Sequence, residues 1–428
     1  MKIREIIKKK ASLGLKKYPI GIYNYLNLKD HGAHMTEAEM ESLADAGITV
    51  PHSPTFDPND SAQIAHMLKM LDWAAARDMK LVLWDPRCMA SMKGLEAPAE
   101  YAAGVKAAVR DFGKHPGLLG FFNNDEPDDA GMRASAACQR IQAEVAPHLL
   151  SVLNHLGGAS DTYLDTYAQL SDAGVMSYDC YLQIQNPAVN RVRGIDRYFQ
   201  CLRNYREASL RNGIPFWNTV ICIGHWMYSC PNLDEIRWQF NTSVAAGASG
   251  VSWFHWYLPK PILNYRLPPV DEFWEKTQTY YDIRRVQQSF HKTYGDLFNR
   301  LVSTRVSFYP FGCGEGSVEW TPNELVSGIE TQHGQCTPIL VGEFTDGEGR
   351  RYVMFVNNSQ TKDCCDHVKI KFPKNAKLYC FEYGSEGKEQ PAGNYEGPRL
   401  DGDTIRDWRW LAPGQEALYR VELPDEKV

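Results

Sequence analysis

The sequence lacks the glycine-rich loops that bind phosphate, because neither G-x-G-x-x-G nor G-x-x-x-x-G-K-[ST] occurs in its 428 residues. This absence argues against a nucleotide-binding sheet. The sequence also lacks a C-x-x-C pair, although it has 11 cysteines, so it is unlike a small disulfide-stabilised scaffold. No apolar run approaches the ~20 residues that cross a membrane, and we therefore expect no membrane partner.

An excess of positive charge is missing as well. Asp and Glu number 52 against 46 Lys and Arg, which gives a net charge of −6. Nucleic-acid-binding proteins carry basic patches, so we expect no nucleic-acid partner. The one basic run, Lys8-Lys9-Lys10, is predicted to be a solvated first turn of a helix. No signal peptide is visible, which predicts a cytoplasmic protein, or a periplasmic or secreted one if a signal peptide was removed. The oligomeric state stays open.

The sequence does have a repeated alternation of strand-like apolar runs and helical stretches. The runs begin near residues Ile20, Thr49, Leu81, Leu118, Leu149, Gly174, Phe216 and Gly250. Their spacing of 25 to 42 residues is the size of a βαβ unit. Eight such units predict a (β/α)8 barrel, the TIM barrel. An open doubly wound sheet is the alternative, but the phosphate loop typical of that fold is absent.

Local signals agree with helices between the strands. Residues Thr36 to Glu39 form a capping-box pattern, which predicts a helix start. Gly47, Gly213 and Gly247 fall where helix C-caps are expected. The eighth helix is predicted to cover residues 273–300.

The pattern changes near residue 302. Short alternating runs, separated by Gly, Pro, Asn and Asp, occupy residues 352–356, 368–372, 377–381 and 417–421. Such runs are typical of an antiparallel β-sandwich. We therefore predict two domains, a catalytic barrel over residues 1–301 and a smaller sandwich over residues 302–428. Trp320, Trp408 and Trp410 are predicted to lie in the sandwich core, because buried aromatic rings dominate small β cores.

Polar and aromatic residues cluster where the predicted strands end, and parallel strands are otherwise apolar. In a barrel these ends and their loops form the active-site face. Aromatic faces pack on sugar rings and polar side chains bond the hydroxyl groups, so we predict that these residues bind a carbohydrate substrate. Packing or helix capping is the alternative for each. The set is Tyr23, Asn24, His52, Trp84, Asp85, Asn154, His155, Tyr178, Tyr181, His225, Trp226, Trp253, His255 and Trp256.

Two adjacent acids follow the fourth apolar run. Residues 123–127 read Asn-Asn-Asp-Glu-Pro, which places Asp125 and Glu126 at the tip of the predicted fourth strand. Glycoside hydrolysis needs one carboxyl group to protonate the leaving oxygen and a second carboxylate beside it. The pair therefore predicts a glycosidase with Glu126 as proton donor.

These residues resemble a family. The chain looks like a (β/α)8 glycoside hydrolase of the broad group related to clan A, with an appended β-sandwich. Clan A enzymes carry Asn-Glu at the end of the fourth strand, so the resemblance implies that Glu126 is the general acid/base and that Asp125 replaces the usual Asn. Residues 247–256 also resemble the eighth strand of these enzymes. The seventh run, residues 217–226, departs from the pattern because it lacks the nucleophilic Glu.

The second catalytic group therefore has two candidate sources. One is a carboxylate from another strand tip, with Asp179 as the first choice and Asp85 as the reserve. The other is the substrate itself: Asp125-Glu126 resembles the Asp-Glu pair of family 20 hexosaminidases, whose Asp orients a 2-acetamido group. Residues Val175 to Asp179 also resemble the Met-x-Tyr-Asp stretch of family 18 chitinases.

Two other classes of function stay open. A non-catalytic carbohydrate-binding barrel would keep the aromatic residues without needing the acids. A metal-dependent hydrolase would gather His and Asp at the strand tips, but the sequence shows no clustered ligand spacing. We expect neither a cofactor nor a metal.

Overall fold

The computed structural model describes residues 2–184, 191–260, 264–331, 337–360, 365–392 and 397–424, with the side chains of 191–193 excepted. Its first part is a barrel of eight parallel strands, which confirms the predicted fold class. These strands are β1 (Ile20–Ile22), β2 (Val50–Pro51), β3 (Leu81–Leu83), β4 (Leu118–Asp125), β5 (Leu150–Leu156), β6 (Met176–Asp179), β7 (Phe216–Ile221) and β9 (Val251–Phe254).

The barrel closes between its second and third strands. Neighbouring strands pair in parallel from β2 through β1, β9, β7, β6, β5 and β4 to β3. A single parallel bridge between His52 and Val82 joins the two ends, and the Ser53 amide donates to the Val82 carbonyl at 2.9 Å. All eight carboxyl ends therefore meet on one face.

Helices cover the outside of the barrel, and their ends follow the predicted signals. Thr36 accepts a hydrogen bond from the Glu39 amide, and Gly47, Gly213 and Gly247 adopt positive φ. The eighth barrel helix is shorter than predicted, since a separate 3-10 turn follows it at Leu297–Asn299. The helices are α1 (Ile3–Ser12), α2 (Leu28–His31), α3 (Glu37–Asp45), α4 (Ser61–Ala75), α5 (Lys93–Glu96), α6 (Pro98–Phe112), α7 (Asp129–Val145), α8 (Asp161–Leu170), α9 (Arg191–Asn212), α10 (Leu233–Ala245) and α11 (Gln278–Tyr294).

The basic run in α1 is not solvated as predicted. Lys9 donates to the Ala173 carbonyl at 2.6 Å, and the buried Lys10 donates to the carbonyls of Phe298 and Leu301 at 2.7 Å each. Burial lowers the pKa of Lys10 to about 7. The prediction is wrong for these two residues because buried carbonyl groups need donors, and long lysine side chains reach them.

Antiparallel strands form the rest of the chain, as predicted. A six-stranded sheet has the order β11-β13-β14-β20-β16-β17, and a four-stranded sheet has the order β12-β15-β19-β18. A short hairpin-like pair, β8 (Gly224–His225) with β10 (Tyr265–Arg266), lies within the barrel part. The sandwich strands are β11 (Val302–Tyr309), β12 (Gly328–Thr331), β13 (Ile339–Thr345), β14 (Arg351–Asn357), β15 (Asp366–Pro373), β16 (Lys377–Cys380), β17 (Gln390–Pro391), β18 (Arg399–Asp401), β19 (Thr404–Leu411) and β20 (Glu416–Glu422).

The six-stranded sheet is covered on both faces. Val353 and Phe355 belong to the core between the two sheets. Their neighbours Met354 and Val356 belong to the large core that continues into the barrel. Since side chains alternate along a strand, β14 contributes to both layers.

Only one of the three sandwich tryptophans lies where it was predicted. Trp320 is buried in the core, whereas Trp410 is 53% exposed and Trp408 is partly exposed. The His367 ring stacks against both, 4.2 Å from Trp408 and 4.5 Å from Trp410. Alternation along β19 turns these two indoles outward while Leu411 points into the core, so the core prediction is wrong for them.

Candidate active site

The end of β4 carries the two adjacent acids. β4 runs from Leu118 to Asp125, and its first five residues are buried. Glu126 follows with φ +42°, a left-handed conformation that costs a non-glycine residue about 1 kcal/mol or more. Its amide donates to the Asn154 carbonyl on β5 at 2.8 Å, which holds this conformation. Asp125 and Glu126 are both exposed to the cleft above the barrel.

Asn154 on β5 fixes the first acid. Its side-chain amide donates to Asp125 Oδ1 at 3.0 Å, and its Oδ1 accepts from Ser177 Oγ at 3.2 Å. Asn154 is itself buried. Three neighbouring strands therefore position Asp125 through one amide side chain.

Asp179 at the end of β6 faces the second acid. Side chains alternate along a strand, so Ser177 and Asp179 point into the barrel while Met176 and Tyr178 point outward. Asp179 and Glu126 line the same cavity, and the negative charge of Glu126 acts on the Asp179 carboxyl group. Two adjacent negative charges repel, so the ionised form of Asp179 is disfavoured.

The electrostatics of the cleft favour protonated acids. Burial, reinforced by the negative charges of Glu126 and Asp125, raises the pKa of Asp179 well above its usual value. Burial also raises the pKa of Asp125, with Glu126 adding to the effect and the Asn154 hydrogen bond opposing it. Groups with such shifts are typical of catalytic sites.

The acids open into a cavity of about 340 Å³. Eight residues that the sequence predicted for the site share its wall: Tyr23, Asp125, Glu126, Asn154, Asp179, Tyr181, His225 and Trp226. They come from five different strands and the loops that follow them. The cavity is therefore built from strand ends, as in other barrels with this topology.

Aromatic rings form one side of the cavity mouth. The Trp226 side chain is 63% exposed, and its ring stacks on His225 at 4.3 Å. His225 stacks in turn on Tyr265 at 4.5 Å with an interplanar angle of 2°. The outer face of Trp226 is thus presented to solvent beside the acids, where a sugar ring could stack.

Three predicted residues lie beside or beneath the cavity. Trp84 donates from its indole nitrogen to His52 Nδ1 at 2.9 Å, and the His52 ring lies 4.3 Å from Tyr23. Burial lowers the pKa of His52 to about 3, so this ring is neutral and supports Tyr23 from below. His255 lines a neighbouring cavity of about 750 Å³ that shares Tyr25 and Phe254 with the first.

The other predicted residues do not reach the cavity wall, because they point outward or into local hydrogen bonds. Tyr178 stacks on Tyr205 of α9 at 3.9 Å, and His155 packs against Tyr167 of α8 at 4.3 Å. The predicted residues placed in this way are Asn24, Asp85, His155, Tyr178, Trp253 and Trp256, all of them buried.

Asp85 is held in an ion pair inside the protein and does not line the cavity. It is fully buried, and Arg87 holds it through a salt bridge of 2.7 Å. A carboxylate tied to a guanidinium in the protein interior cannot approach a substrate above the barrel. Asp179 is therefore the better-placed second carboxyl group.

The sequence reasoning missed several residues of the cavity. Arg197 comes from α9, Tyr228 from the loop after β8, and Phe254 from the last residue of β9. Arg197 and Tyr228 are not at strand ends, so a search of strand ends gave no signal for them. Tyr25 and Phe254 lie at strand ends beside other aromatic residues, and only the pairing register with neighbouring strands decides which of these rings face inward.

In the part of the chain that the structure describes, no cluster of three or more His, Cys, Asp or Glu side chains has the arrangement of a metal site. No helix in that part is both long and apolar enough to span a membrane.

Comparison with known proteins places the fold. No family model and no curated protein matches the sequence. Over 95% of its length the chain superposes on a catalytic mutant of a family 42 β-galactosidase from G. stearothermophilus, covering 99% of that chain with 8% identity and a TM-score of 0.61. Over 96% of its length it superposes on a family 5 glycoside hydrolase from Bacteroides vulgatus, covering 90% of that chain with 11% identity and a TM-score of 0.57.

A third neighbour is longer than this chain. Against a β-galactosidase from the psychrophilic Marinomonas ef1 the match covers 64% of this chain and 59% of that chain, with 14% identity and a TM-score of 0.47. At these identities the two whole-chain matches establish a shared fold. The predicted (β/α)8 barrel, followed by a β-sandwich, is thereby confirmed.

Proposed function

We propose that this protein is a glycoside hydrolase that cleaves a glycosidic bond in an oligosaccharide or glycoconjugate. The observation that carries the proposal is that Asp125, Glu126 and Asp179 open together into a cavity of about 340 Å³ at the active-site face of the barrel. The exposed ring of Trp226 adds a surface for the apolar face of a sugar. The structural likeness to family 5 and family 42 enzymes agrees with this chemistry.

In the first step, the proton that Asp179 holds in the free enzyme passes through the Glu126 carboxyl group to the leaving glycosidic oxygen. Asp179, now ionised, attacks the anomeric carbon to form a glycosyl ester, and the glycosidic C–O bond breaks. Glu126 then takes a proton from water, which displaces Asp179 and releases the sugar. Retaining enzymes hold their two carboxyl groups ~5 Å apart and inverting ones ~6.5–9.5 Å apart. We propose retention, with Asp179 as the nucleophile, because its carboxyl group and that of Glu126 line the same cavity.

Substrate-assisted catalysis is the alternative within the same class. Asp125, held by Asn154 at 3.0 Å, could orient a 2-acetamido group beside Glu126. Tyr178 gives this alternative no support, because its ring stacks on Tyr205 away from the cavity. Nitrophenyl glycosides with and without a 2-acetamido group distinguish the two, since only the first kind would be cleaved by the assisted route.

Replacing Glu126 tests the proton donor. We expect Glu126→Gln to lower kcat/KM by about 10²–10⁴-fold on substrates with a poor leaving group, and by less on nitrophenyl glycosides, whose leaving group needs little protonation. Glu144→Gln, an exposed change on α7, is the matched control and keeps full activity. Equal activity of the two variants would remove Glu126 from the mechanism.

The same experiment separates catalysis from binding. A non-catalytic carbohydrate-binding protein would bind sugars in both variants and cleave none of the glycosides. We expect the wild type to cleave at least one of them and to release the sugar with its anomeric configuration kept, which proton NMR of the first product detects.

A further inference from the structure

Two cysteines meet in the wall of the cavity, next to Asp179. Cys180 follows Asp179 directly in the chain, Cys201 lies in the middle of α9, and both residues line the cavity. A Cβ atom built on Gly157 would lie 3.3 Å from Cys180 Cβ and 3.4 Å from Cys201 Sγ. The two side chains therefore lie close together beside Gly157, and both cysteines are free thiols in this structure.

The surroundings of the pair prepare one thiol to react. The neighbouring Cys180 thiol, together with the positive charge of Arg197, lowers the pKa of Cys201, although burial opposes this shift. The Cys201 thiol in turn, with burial, raises the pKa of Cys180. A thiolate is the nucleophile in cysteine oxidation. Cys201 is therefore suited to attack the oxidant, and Cys180 is suited to attack the oxidised Cys201 and form the disulfide. Both residues line the cavity, which gives a small oxidant a path to them.

Other cysteines of the described chain lack this combination. Cys222 is buried and its thiol donates to the Phe254 carbonyl at 3.4 Å. Burial and Asp196 raise the pKa of Cys313 to about 12. Neither thiol is activated or placed beside the carboxyl pair.

We propose that Cys180 and Cys201 form a site of oxidative modification that closes reversibly into a disulfide when a peroxide enters the cavity. The Cys201 thiolate attacks one peroxide oxygen, the O–O bond breaks, and the hydroxide that leaves takes up a proton as water. Cys201 is then a sulfenic acid. The Cys180 sulfur attacks it, the S–O bond breaks, and a second water leaves with the Cys180 proton. Two thiols are oxidised and one peroxide is reduced.

The disulfide would act on the carboxyl pair. A disulfide holds its two Cα atoms about 4.4–6.8 Å apart with a defined torsion, so closing it ties the end of β6 to α9. Asp179 is bonded directly to Cys180 and must keep its place in the cavity with Glu126. We infer that closure displaces the Asp179 carboxyl group and lowers turnover. This consequence rests on the proposed function, whereas formation of the disulfide does not.

Intact-mass measurement tests disulfide formation. The full-length protein is treated with hydrogen peroxide, its remaining thiols are blocked, and peptides are mapped. We expect the wild type and the control Cys313→Ser to lose two hydrogen atoms and to yield a Cys180–Cys201 cross-linked peptide that a dithiol reductant opens. Cys180→Ser and Cys201→Ser should yield none, and Cys180→Ala and Cys201→Ala provide second variants if a serine form misfolds. A wild type that keeps both thiols, or that oxidises Cys201 only to sulfinic acid, overturns the proposal.

Turnover measured on the same samples tests the effect on the site. We expect activity on a glycoside that the wild type cleaves to fall at least tenfold on oxidation and to return with the reductant, while Cys180→Ser is unaffected by peroxide. A disulfide that forms without changing turnover overturns the regulatory half alone. A wild type without any glycosidase activity counts against the proposed function, and the cross-linked peptide still decides the modification.

Discussion

The carboxyl group of Asp179 is held where its ionised form is poorly solvated. Its folded pKa lies well above the ordinary value of 3.8, so above that pH the unfolded chain releases a proton that the folded chain keeps. By linkage, stability falls as pH rises from 3.8 towards the folded pKa, and the penalty is complete above it. Above pH 3.8 the buried Asp179 carboxyl group therefore lowers the free energy of unfolding.

Asp179→Asn should for this reason stabilise the fold while abolishing the proposed nucleophile. We expect a higher free energy of unfolding than the wild type near neutral pH, with the gain shrinking as the pH falls towards 3.8, the ordinary aspartate value, and absent below it. Urea unfolding at several pH values measures this gain. Asp403→Asn, at a fully exposed side chain, is the control and should change little. A destabilised Asp179→Asn at neutral pH would contradict the assigned environment.

Asp85 illustrates the opposite case, an acid whose role is structural. Arg87 bonds both Asp85 and Asp111, so Asp85→Asn leaves a largely buried guanidinium with less compensation. We expect a loss of about 3 kcal/mol in unfolding free energy, with kcat/KM unchanged in the protein that remains folded. Asp111→Asn should cost less, because Asp85 still holds Arg87 with two bonds. A loss of turnover without a loss of stability would return Asp85 to the list of catalytic candidates.

At the level of single elements, alternation decides which strand-end residues reach the cavity. Tyr23 and Asn24 are adjacent in sequence but face opposite sides of the sheet, with Tyr23 on the inward side. The same is true of Asn154, which faces inward, and His155. The sequence was sufficient to predict all eight strands and the polar tips. It was not sufficient to predict whether the odd-numbered or the even-numbered residues of a strand face the barrel interior, because that depends on the pairing register with neighbouring strands.

The adjacent acids break this alternation through a bulge. The register between β4 and β5 shifts between Phe122 and Asn124, and Glu126 then adopts positive φ. A bulge re-aims side chains, so Asp125 and Glu126 both face the cavity although they are neighbours in the chain. No local sequence signal marks a bulge of this kind, and the pair was predicted from its chemistry alone.

Gly120 lets β4 and β5 approach closely enough to hold the bulge. A Cβ atom there would lie 1.8 Å from the Leu150 carbonyl oxygen, a contact that the backbone cannot absorb. We expect Gly120→Ala to destabilise the fold by more than about 3 kcal/mol. Gly349→Ala, where a Cβ atom meets nothing but φ is +86°, should cost only about 1 kcal/mol. Thermal unfolding of the two variants checks this, and equal losses would contradict the close approach.

At the scale of the whole molecule, the six-stranded sheet joins the barrel as a shared layer. Gly342 on β13 approaches α10 so closely that a Cβ atom would lie 2.2 Å from the Ala245 carbonyl oxygen. Trp238 of α10 donates to Asn358 at 2.8 Å, and Asn241 donates to the Gly414 carbonyl at 2.8 Å. The sequence predicted a change of pattern near residue 302 but not this contact, since Trp238 and Asn358 are 120 positions apart and Asn241 and Gly414 are 173 apart.

Separating the two parts at residue 302 tests how far they depend on each other. The cut would expose Leu340, Met354 and Val356 on the sheet, each buried in the shared core, at a cost of roughly 1.5–3 kcal/mol apiece, and it would uncover their partners on the barrel. We expect residues 1–301 alone to aggregate or to melt well below the full chain, with strong binding of a hydrophobic dye. Adding residues 302–428 as a separate chain should restore part of the melting temperature. If residues 1–301 unfold cooperatively at the temperature of the whole protein, the predicted boundary divides two independent domains and the shared core contributes little.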